Sequence, residues 1–296
     1  MEQTRAEKWR KGIAYELAFW NNVYRWTYTF RGMMDWSHYG GTIDLELFDA
    51  NAFLLQHDHP LVLDVGCGMS YATGNYLCNG VGLQELNIHY VDPLADGFNK
   101  ILKRHKRDLP LIEFGMMEYL SAFYPDSNVA LVIIQNALDH SSGPVSGIVE
   151  ALRVLKVGGV LYLNHHPNEA VTERYKGFHQ FNIIEEKGQL VVWNQRERIV
   201  VDNLIGCFTR MQVKTHDNGH VVAVIEKMAE VPANIYDDFS ERKQLCLNLM
   251  DSYQGSVSVM RVFADKLRYW FFNTGLFFVQ ALPWSTKMKL KKILKV

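Results

Sequence analysis

Cysteine is scarce and unpaired in pattern: Cys67, Cys78, Cys207 and Cys246 are scattered along 296 residues with no CxxC spacing. That excludes a disulfide framework or a four-thiolate zinc module and leaves reduced thiols, so a cytoplasmic protein is expected. An excess of one charge is also missing. Lys and Arg number 31 against 32 Asp and Glu, and the central part carries no basic stripe. Nucleic acid is therefore not an expected partner. No hydrophobic run is long enough to span a bilayer, which takes roughly 20 apolar residues. The longest, Trp270 to Trp284, is interrupted by Asn273, Thr274, Gln280 and Pro283. The opening stretch MEQTRAEKWRKG lacks the apolar core of a secretory signal, and there is neither an internal repeat nor a low-complexity segment.

What is present is the composition of a folded chain, 48% hydrophobic and 21% charged. The length suits one α/β domain with terminal additions. Residues 4–36 are crowded with aromatics (Trp9, Phe19, Trp20, Tyr24, Trp26, Tyr28, Phe30, Trp36) at helical spacing, which predicts helices over one edge of the domain or the mouth of its site. From Pro60 onward, strand-length apolar runs alternate with helical stretches: Leu61–Val65, Ile88–Val91, Leu111–Phe114, Val129–Ile134 and Val160–Leu163. This alternation predicts right-handed crossovers and a parallel sheet buried on both faces. Two hairpins follow, one across Lys187-Gly188 and one across Asn218-Gly219, the second closing the sheet with an antiparallel pair. The expected organisation is an N-terminal helical cap over 1–54, a central domain over 55–228 with a hairpin insert at about 180–195, and a C-terminal helical extension over 229–296 ending in a basic tail.

The first strand runs into a glycine turn, Leu61-Val62-Leu63-Asp64-Val65-Gly66-Cys67-Gly68. Glycines there let backbone approach a ligand at the carboxyl end of a strand. The dinucleotide fingerprint would need glycine at 71, where this chain has Tyr71, so an NAD-dependent oxidoreductase is the disfavoured alternative. Asp92 closes the second strand, where a carboxylate can accept from ribose hydroxyls. Gly115-Met116-Met117-Glu118 follows the third strand and Asn136 the fourth; Leu152 to Leu161 then supplies a helix, a Gly-Gly turn and the fifth strand.

In these residues, over roughly 55–228, the chain resembles the class I S-adenosylmethionine-dependent methyltransferases, with the acid-GxG form Asp64-x-Gly66-x-Gly68 and Ser70 in place of the usual third glycine. The resemblance implies an α/β, Rossmann-like methyltransferase fold: a mostly parallel seven-stranded sheet with an antiparallel C-terminal hairpin, plus N- and C-terminal helices. It implies S-adenosyl-L-methionine as cofactor, S-adenosyl-L-homocysteine as product, and a binding set of Asp64, Gly66, Gly68, Asp92, Met116, Met117 and Asn136. Five further stretches are similar, more narrowly, to bacterial methyltransferases of surface-polysaccharide and lipopolysaccharide biosynthesis. They are Lys11 to Trp20, Val91 to Ala95, Asn136 to Ser141, His165 to Ala170 and Tyr175 to Asn182. This narrower resemblance implies a sugar or glycolipid acceptor.

Methyl transfer to a hydroxyl needs an aligned acceptor and a base. His140, next to Asp139 after the fourth strand, is the first candidate for that base, and His179 and Glu169 complete the expected catalytic set. His165 and His166 belong to the same group of loops. The group reads as an acceptor site or proton relay, as a metal site, or as histidines that merely fix loops; the expectation carries no metal. Leu267 to Trp284 is aromatic, and Lys287, Lys289, Lys291, Lys292 and Lys295 follow without an acid. That describes either an interfacial helix on anionic lipid at the inner face of the membrane or a helix packed on the domain or in a homodimer. The leading reading is an O-methyltransferase of a sugar or glycolipid. Its alternatives are methylation of a soluble small metabolite and a catalytically silent cofactor-binding subunit.

Overall fold

The computed structural model describes residues 2–34, 46–81, 86–237 and 259–282, with the single positions 286 and 289. The basic tail, position 289 apart, and the stretch 238–258 lie outside the described residues. Along the chain come α1 (Glu2–Arg25), α2 (Thr27–Met34), α3 (Ala50–Leu54), β1 (Leu61–Val65), α4 (Ala72–Val81), β2 (Asn87–Asp92), α5 (Ala95–Arg104), β3 (Glu113–Phe114), β4 (Val129–Gln135), α6 (Pro144–Val154) and β5 (Leu155–His165). Then follow α7 (Glu169–Thr172), β6 (Asn182–Glu186), β7 (Gln189–Trp193), β8 (Arg198–Val200), α8 (Val201–Ile205), β9 (Thr209–Thr215), β10 (Val221–Lys227), α9 (Ala233–Asp237) and α10 (Val259–Ala281).

Seven strands form one sheet in the order β3-β2-β1-β4-β5-β10-β9. The pairs from β3 to β5 are parallel, whereas β10 runs antiparallel to both β5 and β9, as the Asn218-Gly219 turn leads one to expect. β4 is central and apolar from Val129 to Ile134. Its alternate residues face two separate clusters: Val132 and Ile134 pack with α6, and Leu131 and Ile133 with α3 and α4. The winding reverses between β1 and β4, which opens a crevice beyond their carboxyl ends.

Three local features depart from the sequence pattern. The third strand was expected from Leu111, yet only Glu113 and Phe114 pair, because the Asn99 side chain takes both the C=O and the N–H of Ile112 at 2.8 and 3.0 Å. The fifth strand starts at Leu155, so Gly158-Gly159 is a bulge within it and not a turn before it. The register passes from Val129↔Leu155 to Leu131↔Val160. The fully buried Lys227 ammonium donates to the Leu155 carbonyl at 2.7 Å and pairs with Glu230 at 2.7 Å, pinning the bulge. The insert has a third strand, β8, paired with β7.

α1 shares a core with the sheet: Trp20, Val23 and Tyr24 cluster with Tyr71 and Phe98. α10 packs on α1 through the Asn273 side chain, which accepts from Asn21 at 2.7 Å and Asn22 at 3.0 Å, and through the ring pairs Tyr15–Phe272 and Trp26–Phe277. Among the described residues no helix is long and apolar enough to cross a membrane.

Candidate active site

A pocket of about 380 Å³ opens at the carboxyl ends of β1, β4 and β5, in the crevice at the winding reversal. One half is built on the β1 turn. The N–H groups of Gly66 and Cys67 both point to the Val91 carbonyl, at 2.7 and 3.4 Å, which bends the chain sharply after the strand. Gly66 has φ +67°, and a Cβ there would stand 2.4 Å from the Ala137 methyl; a Cβ on Gly68 would stand 2.6 Å from the Trp20 indole. Only glycine fits at either place. Tyr71, where the dinucleotide fingerprint has its last glycine, fills that space with a buried ring whose hydroxyl donates to the Pro110 carbonyl at 2.7 Å.

Asp64 and Asp92 are buried at this turn and line the pocket. Asp92 accepts from the Gly68 and Leu94 N–H groups at 3.1 and 2.8 Å. Burial pushes the Asp64 carboxyl up to about 7, with the Asp92 charge adding to it. Burial also pushes Asp92 up to about 7, against the two N–H groups that favour its charge. Glu16, on α1, accepts from the Trp20 indole at 2.8 Å and faces the same space. Sequence reading missed Glu16 and gave Trp20 only as one of the aromatics expected over an edge of the domain or the mouth of its site; their i, i+4 spacing within an aromatic helix was the available signal.

Glu118 and Glu169 also line the pocket, and among the described residues no lysine or arginine does. Such a cavity suits a cation and repels a phosphate. The residues present therefore fit S-adenosylmethionine, which carries a sulfonium and an ammonium, better than a dinucleotide.

The predicted binding residues come together here. Met116 and Met117 line the pocket, Met117 also packing against Gly66 and Gly147. Asn136, at φ +46°, accepts from the His166 N–H at 2.9 Å and donates its own N–H to the Asn164 carbonyl at 2.9 Å, tying the ends of β4 and β5. Glu118 accepts from the backbone and hydroxyl of Ser142 at 2.7 and 2.8 Å, which anchors the loop carrying His140.

The other half of the pocket holds His140, His179 and Glu169. His179 Nδ1 lies 2.7 Å from Asp139 Oδ2 and 3.2 Å from His140 Nε2. The Gln180 N–H donates to the Asp139 carbonyl at 3.1 Å, joining the two loops. Burial would raise the Asp139 carboxyl, yet His140, His179 and His165 hold it below the usual range. Burial works against a charged His179; the hydrogen bond and charge of Asp139, with Glu169 and Glu173 behind it, outweigh this and raise its pKa. A ring nitrogen carries either a proton or a lone pair, and a carboxylate only accepts. The contacts are satisfied with the His179 proton on Nδ1, donated to Asp139, and the His179 lone pair on Nε2. His140 Nε2 is then an acceptor.

Asp139, His140 and His179 are also a competent metal-ligand set. However, two ligands of one tetrahedral ion at ~2.0–2.1 Å stand roughly 3.3 Å apart, and the 2.7 Å contact is that of a direct hydrogen bond.

His166 lines the pocket, whereas His165, one strand residue away, turns into the core, where burial lowers its pKa to about 4. A residue that sequence reading left in a hairpin, His220, meets His166 edge to face with ring centroids 4.0 Å apart and meets Asn164 Oδ1 at 2.7 Å. The Val221↔His165 register brings it there.

A family described as a methyltransferase domain matches residues 63–163. No curated protein matches the sequence. Among solved structures, the chain is similar to an S-adenosylmethionine-dependent methyltransferase from Aquifex aeolicus (19% identity, TM-score 0.38, 62% of this chain and 92% of that chain covered). It is similar also to the YcgJ protein of Bacillus subtilis (14%, 0.35, 60% and 98%). A third is the T. thermophilus 16S rRNA N2 G1207 methyltransferase in complex with AdoMet and guanosine (15%, 0.35, 62% and 39%). The family match runs from β1 to β5 and so contains the glycine turn, Asp92 and the Asp139-His140 loop. An acidic pocket with no lysine or arginine among its described lining residues is where a sulfonium belongs, and with that match the conclusion follows: residues 63–163 are a methyltransferase domain, and the chain is an enzyme that uses S-adenosylmethionine.

Proposed function

We propose that the enzyme O-methylates a sugar or glycolipid intermediate of a cell-surface polysaccharide, with the Asp139–His179–His140 contact at the acceptor end of the pocket as its proton-accepting group. That contact, made between two loops 39 residues apart, carries the reading. S-adenosylmethionine supplies an electrophilic methyl group on a sulfonium. Asp92 would accept from the ribose hydroxyls, Gly66 and Gly68 would admit the ligand to the backbone, and Asp64 and Glu16 would supply negative charge for its cationic groups. Met116 and Met117 offer an apolar wall to the adenine, and Asn136 holds the β4–β5 ends that separate the two halves.

At the acceptor end, Asp139 fixes the His179 ring through Nδ1 and leaves Nε2 to receive the hydroxyl proton as the acceptor oxygen takes the methyl group, with S-adenosylhomocysteine left behind. The imidazolium so formed is stabilised by Asp139 and by the His140 lone pair, both at Nδ1. Glu169 adds negative charge near His179 and can accept from a second hydroxyl of a polyol. An acidic lining also favours a neutral sugar over a phosphorylated group or nucleic acid in the pocket. The reading puts the enzyme in the cytoplasm, at the inner face of the membrane.

The test is to incubate the full chain with methyl-labelled S-adenosylmethionine and host extract, then hydrolyse the product to monomers. Label in a base-stable O-methyl sugar, from the lipid-extractable or polymeric fraction, supports the reading. Label confined to small aqueous products that yield no sugar would move the acceptor to a soluble metabolite.

A further inference from the structure

Among the described residues nothing packs on the outer face of α10. Its inner face is spent on α1, through Tyr15–Phe272, Trp26–Phe277 and the Asn273 bonds, and Arg104 donates to the Tyr269 hydroxyl at 3.1 Å. Opposite them stand Phe263, Leu267, Trp270, Phe271, Phe278 and Val279, 50–69% exposed. Their positions, i, i+4, i+7, i+8, i+15 and i+16, form a single stripe along the helix. Scattered apolar residues are ordinary on a protein surface; a stripe of this length marks a contact.

Charge says what the contact is with. From residue 269 to residue 286 the sequence has no charged side chain, and the next charges are Lys287, Lys289, Lys291, Lys292 and Lys295, all of one sign. An apolar strip followed in the sequence by a run of cations suits a partner that is apolar and presents an anionic plane. The same stripe on a second copy of this chain, followed in sequence by the same lysines, does not offer an anionic plane. The surface of an anionic bilayer does. No described helix can cross a membrane, so this one lies along it, with the Trp270 indole suited to headgroup depth.

We propose that α10 and the lysine run that follows it bind the surface of an anionic lipid bilayer. α1 transmits the consequence. One of its faces holds α10 through Tyr15, Asn21, Asn22 and Trp26, while Glu16, Phe19 and Trp20 line the pocket. Docking therefore places the pocket one helix away from the headgroups. This inference stands whatever the acceptor is, and it goes beyond the acceptor reading.

The test is co-sedimentation of the full chain with vesicles of phosphatidylcholine alone and of phosphatidylcholine mixed with phosphatidylglycerol. The mixed vesicles are expected to bind the chain at least ~10-fold more tightly, and that margin to vanish in high salt or with the five lysines changed to glutamine. Trp270→Ser with Phe271→Ser and Phe278→Ser should abolish binding to both vesicles and leave S-adenosylhomocysteine affinity unchanged, which also shows that the variant folds. Absence of binding to the mixed vesicles, or equal binding to both, would overturn the proposal. So would self-association of the parent chain that the triple variant abolishes, without vesicle binding, since the stripe would then be an interface between copies. Vesicle binding together with label confined to small aqueous products keeps this inference and removes the glycolipid reading.

Discussion

His179 is the residue on which the chemistry turns, and its two neighbours set its behaviour. It works as a base only when neutral, and Asp139 raises its pKa. The rate should therefore be lost on the acid side and rise with pH through a pKa above the ordinary ~6.5 of histidine. Asp139→Asn removes both the charge and the defined tautomer, so the acid limb should move to lower pH while kcat falls; a pH–rate profile of the variant checks this. An unmoved limb would assign it to another group. At the other half of the pocket, Gly66→Ala puts a methyl group 2.4 Å from Ala137 at a backbone angle of φ +67°, and should abolish measurable S-adenosylmethionine binding by calorimetry. Asp64, Gly66, Gly68, Asp92 and the Asp139-His140 pair were picked out from the sequence because each lies within or a few residues beyond the carboxyl end of a strand whose hydrophobic run marks it. His220 and Glu16 were not. The first reaches the pocket only through antiparallel pairing with β5, and the second only through the packing of α1 over the glycine turn.

At the scale of elements, the sequence pattern placed the strands well where burial is uniform and badly where a distant side chain takes over the backbone. β4 is apolar on both faces and ends where its run ends. β3 is shortened by Asn99, a helix residue whose amide satisfies the Ile112 backbone. β5 begins before its Gly-Gly pair because Lys227, on the last described strand of the sheet, holds the Leu155 carbonyl. No local window around Leu155 contains that information. Lys227→Met keeps the bulk and removes the donor, leaving the Leu155 carbonyl without its bond, and should cost about 1–3 kcal/mol of stability. Denaturant unfolding measures it, and cofactor affinity should stay the same, since Lys227 lies away from the pocket lining.

For the whole molecule, a net charge of -1 conceals a strongly acidic cavity and a run of five lysines near the end of the sequence. Composition reads only the sum. The parallel strands and the closing hairpin were legible from alternation and turn residues, whereas the strand order, the winding reversal and the convergence of pocket carboxylates exist only once the chain is folded. That convergence affects stability. Asp64 and Asp92 sit near 7 in the fold against ~3.9 in an open chain. The stability gained from their protonated forms is therefore fully present below the open-chain value and lost as pH rises through about 7. A bound cation favours the ionised pair, so S-adenosylmethionine should bind more tightly as pH rises through about 7 and, at one fixed concentration, raise the melting temperature more above pH 7 than below pH 6; Asp92→Asn should flatten that difference.

The most direct measurement is the rate of label transfer from S-adenosylmethionine to an acceptor-containing extract by the parent enzyme and by His179→Ala, with S-adenosylmethionine affinity measured on both. A rate about 10²–10⁴-fold lower in the variant, at unchanged affinity, is the result expected of a general base in this pocket. Equal rates would contradict the assignment of proton removal to the Asp139–His179–His140 cluster.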